Sequence, residues 1–324
     1  MHPGLERLRR IATRRRLRRL VASTAILAIL WLSVSCLIAY KLTHRRGARS
    51  PEVAPGLTWG RIEPVRLKTV DDHEVGAWFV EGRPEAASVL ILHGHKGRRS
   101  NSLSRAELLA SRGFAVMMPT LRAHGDSSGD FDDVGYGARH DVVAAVDFLE
   151  RRRPGRPIVV DGNSMGAAAA VFAARDLGRR VRGYILESPY QDLKVAVWNR
   201  VDNALPPGLS HAAYLGLRAV APAFLPHLDA IAPVDAIASI PEDVPVLILS
   251  GDADRLARPH EARALLDRVE GHGRLVVFPG AGHGELLRAS PALYARTVTA
   301  FCESAARPVG DRPGIALPRS AVLW

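Results

Sequence analysis

Hydrophobic positions follow two different patterns along the chain. Residues 20–40 form one apolar stretch without a charged side chain, which predicts a helix of roughly 30 Å, the thickness of a bilayer's hydrocarbon core. Beyond residue 88, short apolar runs of strand length alternate with longer stretches of helical length. Because this alternation is typical of parallel strands joined by helical crossovers, the predicted fold class is α/β, with a mostly parallel central sheet and helices on both faces.

The α/β part of the chain contains an ordered series of predicted elements. The predicted strands lie at 88–93, 114–119, 157–161, 181–187, 244–250 and 274–278. The predicted helices lie at 103–112, 141–150, 167–176, 259–269 and 286–304. Residues 189–240 interrupt the alternation with Pro206-Pro207-Gly208 and are predicted to form a small helical cap. Functional residues are expected where the strands end, because ligands of such sheets bind at the carboxyl edge.

The segments that flank this series complete the predicted domain organisation. The chain divides into a basic segment at 1–19, a transmembrane helix at 20–40, a linker at 41–60, a folded domain at 61–306 and a flexible tail at 307–324. The linker assignment rests on its prolines, its glycine and its mixed charge. The tail repeats Pro, Gly and Arg without periodicity.

The net charge of +11 is confined to the N-terminus. Residues 1–49 contain twelve Lys or Arg and one acid, Glu6, whereas residues 50–324 carry 32 basic and 32 acidic residues. The folded domain is therefore electrically balanced, which argues against a nucleic-acid partner. Basic residues before the apolar stretch outnumber those after it, so we expect the N-terminus to be cytoplasmic and the folded domain to be extracytoplasmic.

Cleavage of the N-terminal segment is the alternative to an uncleaved anchor. A secretory signal also has a basic start and an apolar middle, but its apolar region is usually shorter and ends in a small-residue site. A lipoprotein-type signal would use Cys36, yet Ser33 stands where a leucine is usual. The length of the apolar stretch favours the anchor, and a cytoplasmic domain is the second orientation.

A glycine-flanked serine lies between a predicted strand and an alanine-rich helix. The sequence at 162–166 is Gly-Asn-Ser-Met-Gly. A strand that turns sharply into a helix leaves no space for side chains beside Ser164, so Gly162 and Gly166 fit this turn. The turn exposes the hydroxyl above the sheet, and the helix N-terminus favours developing negative charge. Ser164 is therefore the predicted nucleophile.

A serine nucleophile needs a base and a carboxylate that orients this base. Asp252 and Asp254 follow one predicted strand, and His283 follows the next strand in a glycine-flanked loop. The order Ser, Asp, His along the chain is the one expected for this architecture. From the residues alone, either aspartate fits as the orienting acid.

Five motifs in the same order resemble the α/β-hydrolase superfamily. They are His-Gly-His-Lys-Gly at 93–97, Leu-Arg-Ala-His-Gly-Asp-Ser at 121–127, the Ser164 turn, Gly-Asp-Ala-Asp at 251–254 and Gly-His-Gly at 282–284. The chain from about residue 60 to 305 resembles the compact serine hydrolases of the serine-aminopeptidase-like or Bem46-like type, some of which are membrane-anchored. The resemblance implies the α/β-hydrolase fold for the domain at 61–306.

The resemblance also implies a role for each matching residue. It makes Ser164 the nucleophile, His283 the general base and then acid, and Asp254 the orienting carboxylate, with Asp252 in reserve. It implies an oxyanion hole formed by the backbone N–H groups of His95 and Met165. In the resembled family the loop at 121–127 supports the site, so His124 and Asp126 are expected to be structural.

The predicted function is a membrane-anchored serine hydrolase that cleaves ester, thioester or amide bonds through an acyl-enzyme. The alternatives are a peptidase of the serine-aminopeptidase type and a non-catalytic binding protein on the same fold. No cluster of His, Cys and carboxylates has metal-ligand spacing, and Gly94 and Gly97 do not open a dinucleotide-binding turn, so no metal and no cofactor is expected. The anchor and the apolar cap suggest a small-molecule or lipid-like acyl substrate. The oligomeric state does not follow from the sequence.

Overall fold

An eight-stranded sheet forms the centre of the molecule, as seen in a computed structural model that describes residues 3–45 and 47–307. The predicted flexible tail lies outside the described residues, except for Arg307. The strands are β1 (Ile62–Lys68), β2 (Glu74–Val80), β3 (Ser88–Leu92), β4 (Ala115–Pro119), β5 (Ile158–Asn163), β6 (Gly183–Glu187), β7 (Val246–Gly251) and β8 (Gly273–Phe278).

The helices alternate with these strands. They are α1 (Pro3–Thr43), α2 (Leu103–Ala110), α3 (Arg139–Arg152), α4 (Met165–Leu177), α5 (Leu193–Ala204), α6 (Leu209–Phe224), α7 (Pro233–Ala236), α8 (Pro259–Asp267), α9 (Leu286–Ala289) and α10 (Pro291–Ala305).

The sheet has the order β1-β2-β4-β3-β5-β6-β7-β8 and is parallel from β4 to β8. This confirms the predicted mostly parallel α/β fold. The sequence analysis did not predict the first two strands, which pair antiparallel with each other, and β2 also pairs antiparallel with β4. In β1, alternating positions such as Val65 and Leu67 are half-buried or buried at the edge of the sheet, where the apolar signal is weaker.

Side chains of the central strands alternate between two apolar layers. Leu90 and Val160 belong to the layer formed with α3, α4 and α8, whereas Val89 and Val159 belong to the layer formed with α2 and α10. Because successive side chains of a strand point to opposite faces, continuous apolar strands are buried on both sides. The fold therefore has three layers, with the sheet between two layers of helices, and the carboxyl ends of the parallel strands all reach one edge.

The C-terminal helix predicted at 286–304 is two helices. α9 ends at Ala289 and α10 begins at Pro291, and Ser290 between them has φ −142° and ψ 73°. A proline has no N–H and disfavours helical backbone at the residue before it, so the prediction of one continuous helix was wrong at this point.

Helix α1 contains the apolar stretch and ends on the folded domain. From Thr13 to Thr43 it has a mean hydropathy of 2.3 over its most apolar window, which makes it long and apolar enough to cross a membrane. Beyond it, the Arg45 N–H donates to the Asp130 carbonyl at 2.8 Å, and the Asp132 N–H donates to the Thr43 carbonyl at 2.7 Å. The first residues of the predicted linker are thus bonded to the domain.

Two antiparallel helices, α5 and α6, lie between β6 and β7 and form most of the segment predicted as a cap. The Trp31 indole N–H of α1 donates to the Ala212 carbonyl of α6 at 3.0 Å. Ala39 of α1 packs with Leu217 and Val220 of α6. Helix α1 is therefore joined to the cap as well as to the domain.

Candidate active site

The backbone at Ser164 is a strained turn between β5 and α4. Ser164 has φ 50° and ψ −109°, a conformation that residues with a side chain rarely adopt. A Cβ at Gly162 would lie 2.5 Å from Gly166 backbone atoms, and a Cβ at Gly166 would lie 2.8 Å from the His93 carbonyl oxygen. The two glycines are needed because the turn passes this close to its neighbours.

The structure brings Ser164 and His283 together although 118 residues separate them in the sequence. His283 Nε2 lies 3.0 Å from Ser164 Oγ, and His283 Nδ1 lies 2.8 Å from Asp254 Oδ2. In the tautomer with a proton on Nδ1, the ring donates to the carboxylate and Nε2 accepts from the hydroxyl. This geometry allows the imidazole to take a proton from the serine.

Asp254 contacts the histidine, and Asp252 does not. The other oxygen of Asp254 accepts hydrogen bonds from the backbone N–H groups of Leu256 and Ala257, both at 2.8 Å. Burial raises the pKa of the Asp254 carboxyl, but hydrogen bonding to His283 and to these N–H groups outweighs burial and leaves the pKa lowered. Asp252 instead accepts from the Gly280 N–H at 2.6 Å at an exposed position.

The two predicted oxyanion donors lie at the start of α4 and in the loop after β3. Met165 is the first residue of α4, where backbone N–H groups have no acceptor within the helix. His95 lies in the loop after β3, and His95, Ser164 and Met165 all line one cavity. A carbonyl oxygen bound there would meet the positive end of the helix dipole.

This cavity, of about 170 Å³, lies between the sheet edge, the cap and the end of α1. Apolar side chains form most of its wall, with Leu193, Leu217 and Leu225 contributed by the cap segment. Ala39, Leu42 and Thr43 of α1 complete it. The sequence analysis did not predict that α1 lines the site, because its apolar stretch is fully explained by a membrane span.

The arrangement of the sheet and its helices matches solved structures. The esterase Pf2001 of Pyrococcus furiosus superimposes with a TM-score of 0.64 at 23% identity, over 80% of this chain and 98% of that one. A family model described as serine aminopeptidase S33 matches residues 83–228. The chain has the α/β-hydrolase fold, and the family model covers less than half of its length.

Two curated relatives of this chain differ in the extent of the match. The lysophosphatidylserine lipase ABHD12 of Gallus gallus is 30% identical over 124 residues, which is 36% of this chain and 32% of that protein. The chain thus matches about a third of the length of this lipase. An uncharacterized membrane protein of Saccharomyces cerevisiae is 22% identical over 277 residues, which is 81% of this chain and 89% of that protein.

A buried histidine, His93, supports the loop after β3. His93 Nε2 accepts from the Leu121 N–H at 2.9 Å, and His93 Nδ1 lies 2.7 Å from the Gly94 carbonyl oxygen. Burial lowers the pKa of His93 to about 3, so the ring is neutral. Its hydrogen bonds join the loop that carries His95 to the end of β4.

His95, His124 and Asp132 form a cluster whose ligand atoms lie within 4.8 Å of one another. His95 Nδ1 is 2.9 Å from Asp132 Oδ2. His124 Nδ1 lies 2.8 Å from the Arg122 carbonyl, and its Nε2 accepts from the Lys96 N–H at 3.0 Å. These residues could approach a metal ion together, but both ring nitrogens of His124 already have backbone partners. The spacing of these residues does not mark the cluster, because they are separated by 29 and 8 positions, which matches no common metal-ligand motif.

Asp126 has no direct contact with the nucleophile. Its carboxylate binds the Arg99 guanidinium at 2.9 and 2.8 Å and the Arg66 guanidinium at 2.7 Å. Burial raises the pKa of Asp126, and the hydrogen bonds from Arg99 outweigh burial and lower it. Asp126 therefore joins the loop at 121–127 to Arg66 of β1 and to Arg99, which agrees with the structural role expected for this loop.

Proposed function

We propose that this chain is a membrane-anchored serine hydrolase that cleaves ester, thioester or amide bonds through an acyl-enzyme. The observation that carries the proposal is the hydrogen-bonded series Ser164–His283–Asp254 at 3.0 and 2.8 Å on a strained strand-to-helix turn. These three groups supply a nucleophile, a base and an orienting acid.

In the first half of the reaction, Ser164 Oγ attacks the carbonyl carbon while its proton moves to His283 Nε2. The carbonyl π electrons move to oxygen, and the backbone N–H groups of Met165 and His95 stabilise this oxyanion. When the tetrahedral intermediate collapses, His283 gives the proton to the leaving alcohol, thiol or amine. Asp254 holds the imidazole orientation and stabilises the imidazolium that forms.

In the second half, a water molecule takes the place of the leaving group. His283 removes a proton from water, and the resulting hydroxyl attacks the acyl carbon. Collapse of the second intermediate returns the proton to Ser164 Oγ and releases the acid. The cycle needs only groups that the chain itself provides.

An acyl group with an apolar chain is the substrate class that the cavity favours. Most of the wall beside Ser164 is built from apolar side chains of the cap and α1, although Lys194, Arg200 and Arg218 also line the cavity. Apolar surfaces of this kind stabilise an alkyl chain by removing it from water. The partial match to a lysophosphatidylserine lipase agrees with a lipid-like substrate, since that relative acts on a lipid ester by its name.

The apolar part of α1 anchors the enzyme in this proposal. It is long enough to cross the bilayer, and the full-length yeast relative is described as a membrane protein. The excess of arginines before residue 20 favours a cytoplasmic N-terminus and an extracytoplasmic catalytic domain.

Labelling with a fluorophosphonate probe tests the proposed chemistry. The full chain in detergent should be labelled, and Ser164→Ala should abolish the label because the probe reacts only with an activated serine hydroxyl. Ser100→Ala is the matched control, since Ser100 is exposed and hydrogen-bonds Glu52 away from His283. A folded wild-type chain that stays unlabelled would favour a non-catalytic binding protein.

A further inference from the structure

The C-terminal half of α1 is packed against α6 along most of that helix. Trp31 of α1 contacts Ala212 of α6. Four residues further along each helix, Ser35 contacts Gly216. The two helices therefore run in the same direction, side by side. A Cβ at Gly216 would lie 2.2 Å from Ser35 Oγ, so the backbones approach closely through small residues, as paired membrane helices do.

This docking limits how much of the apolar stretch is free to span a bilayer. Only residues 20–30 precede the contact with α6, and as a helix they cover about 16 Å, roughly half of a hydrocarbon core. A span that uses the whole stretch at 20–40 must include the docked part. Ala212, which lies level with Trp31, is then about 13 Å below Tyr40 along the helix axis.

The tip of the α5–α6 hairpin has a composition that suits this position. Residues 203–217 contain no Asp, Glu, Lys or Arg. Leu209 and Leu215 expose 56% of their surface each although both are large and apolar. Leu37 and Ile38 of α1 are exposed in the same way, so α1 and α6 both present apolar side chains outward.

Each of the two charged residues that bound this stretch has either a partner or a route to the headgroups. Asp202, next to the tip of the hairpin, is paired with Arg258 at 2.6 Å. Arg218, at its end, lies about two residues beyond the level of Ser35, and its long side chain can extend toward the headgroups. An apolar surface that is continuous with the span and bounded in this way fits the acyl-chain layer of a bilayer.

We propose that the cap tip at 203–217 is embedded in the bilayer beside the C-terminal half of α1, so that the catalytic cavity opens to the acyl-chain layer. Ala39, Leu42 and Leu217 line the cavity and belong to the two embedded helices. A lipid acyl chain that enters the cavity from this layer would reach Ser164, which lines the same cavity, without crossing water. This inference rests on the proposed serine hydrolase for the cavity's use, whereas the depth of the cap is independent of the chemistry.

Depth-dependent fluorescence quenching tests the embedding in the full chain. The chain is reconstituted in phosphatidylcholine vesicles with Cys36→Ala and Cys302→Ala, and one cysteine labelled with the environment-sensitive dye NBD is placed at Leu215→Cys. Brominated acyl chains should quench this dye as strongly as one at Leu37→Cys on α1. A dye at Gly271→Cys, an exposed position with no atom within 4 Å of an added Cβ and at the opposite edge of the sheet, should stay unquenched.

Each outcome bears on a separate statement. Quenching at position 37 without quenching at position 215 would overturn the embedded cap, and a lack of quenching at both positions would overturn the span as well. Quenching at position 271 would show that the reconstituted domain is not in its described orientation to the bilayer and would also overturn the inference. Fluorophosphonate labelling in the same vesicles reports the chemistry independently, so loss of labelling with position 215 quenched would refute only the proposed function.

Discussion

The carboxyl edge of the sheet and the wall formed by α1 and the cap meet at one cavity, but different forces fix them. At the sheet edge, Ser164, His283 and Asp254 are held by directed hydrogen bonds of 2.8–3.0 Å. In the wall, Ala39 and Leu217 are held by apolar packing that has no preferred direction. Small displacements of side chains should therefore reduce activity severely at the edge and only gradually in the wall.

The same difference separates chemistry from substrate choice. In the proposed reaction, the edge acts on any acyl group that reaches Ser164, since its donors and acceptors contact the reacting atoms alone. The wall would contact the rest of the substrate, so its shape would set which acyl chains are bound. Substitutions in the two regions should have effects of different size and kind.

The largest effect is expected at the orienting acid. Asp254→Asn should lower kcat about 10,000-fold, because an amide at this position favours the wrong imidazole tautomer and no longer stabilises the imidazolium. Steady-state hydrolysis of a short p-nitrophenyl ester by the full chain measures this effect.

Asp252→Asn is the matched control, since it removes a carboxylate from the same loop without touching His283. Its kcat should stay within about threefold of wild type, because substitutions away from the reacting groups are usually mild. Similar losses in the two variants would contradict the separate roles that the geometry gives these aspartates.

The sequence was sufficient to find the residues at the edge. Ser164, Asp254 and His283 each follow a strand, and the parallel order of the strands brings their ends to one edge whatever lies between them. The choice of Asp254 over Asp252 came only from family resemblance, because both follow the same strand. Their backbone partners, Leu256 for one and Gly280 for the other, distinguish them in the structure.

A second, intermediate effect is expected beneath the turn. Arg105 lies 3.5 Å from both Asp161 and Glu187, and all three are buried. Burial and the neighbouring Glu187 raise the pKa of Asp161. Arg105→Met should lower the free energy of unfolding by about 3–5 kcal/mol, since it leaves buried carboxyl groups without their cation. Urea denaturation followed by circular dichroism measures this change.

Arg112→Met is the control for removal of a positive charge, because Arg112 is exposed. This substitution should lower the free energy of unfolding by less than about 0.5 kcal/mol. Adding Glu187→Gln to Arg105→Met should recover part of the lost stability, since the Tyr294 hydroxyl can still donate to the amide oxygen. If the Arg105→Met chain were as stable as wild type, the pairing of Arg105 with the two carboxyl groups would make no net contribution to the free energy of unfolding.

The wall could not be predicted in the same way. Trp31, Ser35 and Ala39 lie in a stretch whose apolarity already predicts a membrane span, so no further signal marks the face that meets the cap. Their contacts depend on the approach of two helices some 180 residues apart, for which the only local signs are small residues such as Gly216. Nonlocal packing of this kind leaves no motif at a fixed spacing.

The smallest effect is expected at Ala39, and it separates the wall from the edge most sharply. Ala39→Phe places an aromatic ring beside the cavity. It should reduce kcat/KM for a sixteen-carbon ester about tenfold and change kcat/KM for the acetate ester less than twofold. The reason is that an acetyl group occupies only the space next to Ser164, whereas a long chain must pass the wall. Ala219→Phe, on an exposed position of α6, should leave both values unchanged. The ratio of the two kcat/KM values in each variant measures the effect, and an equal loss for both esters would indicate damage to the edge rather than a narrower passage.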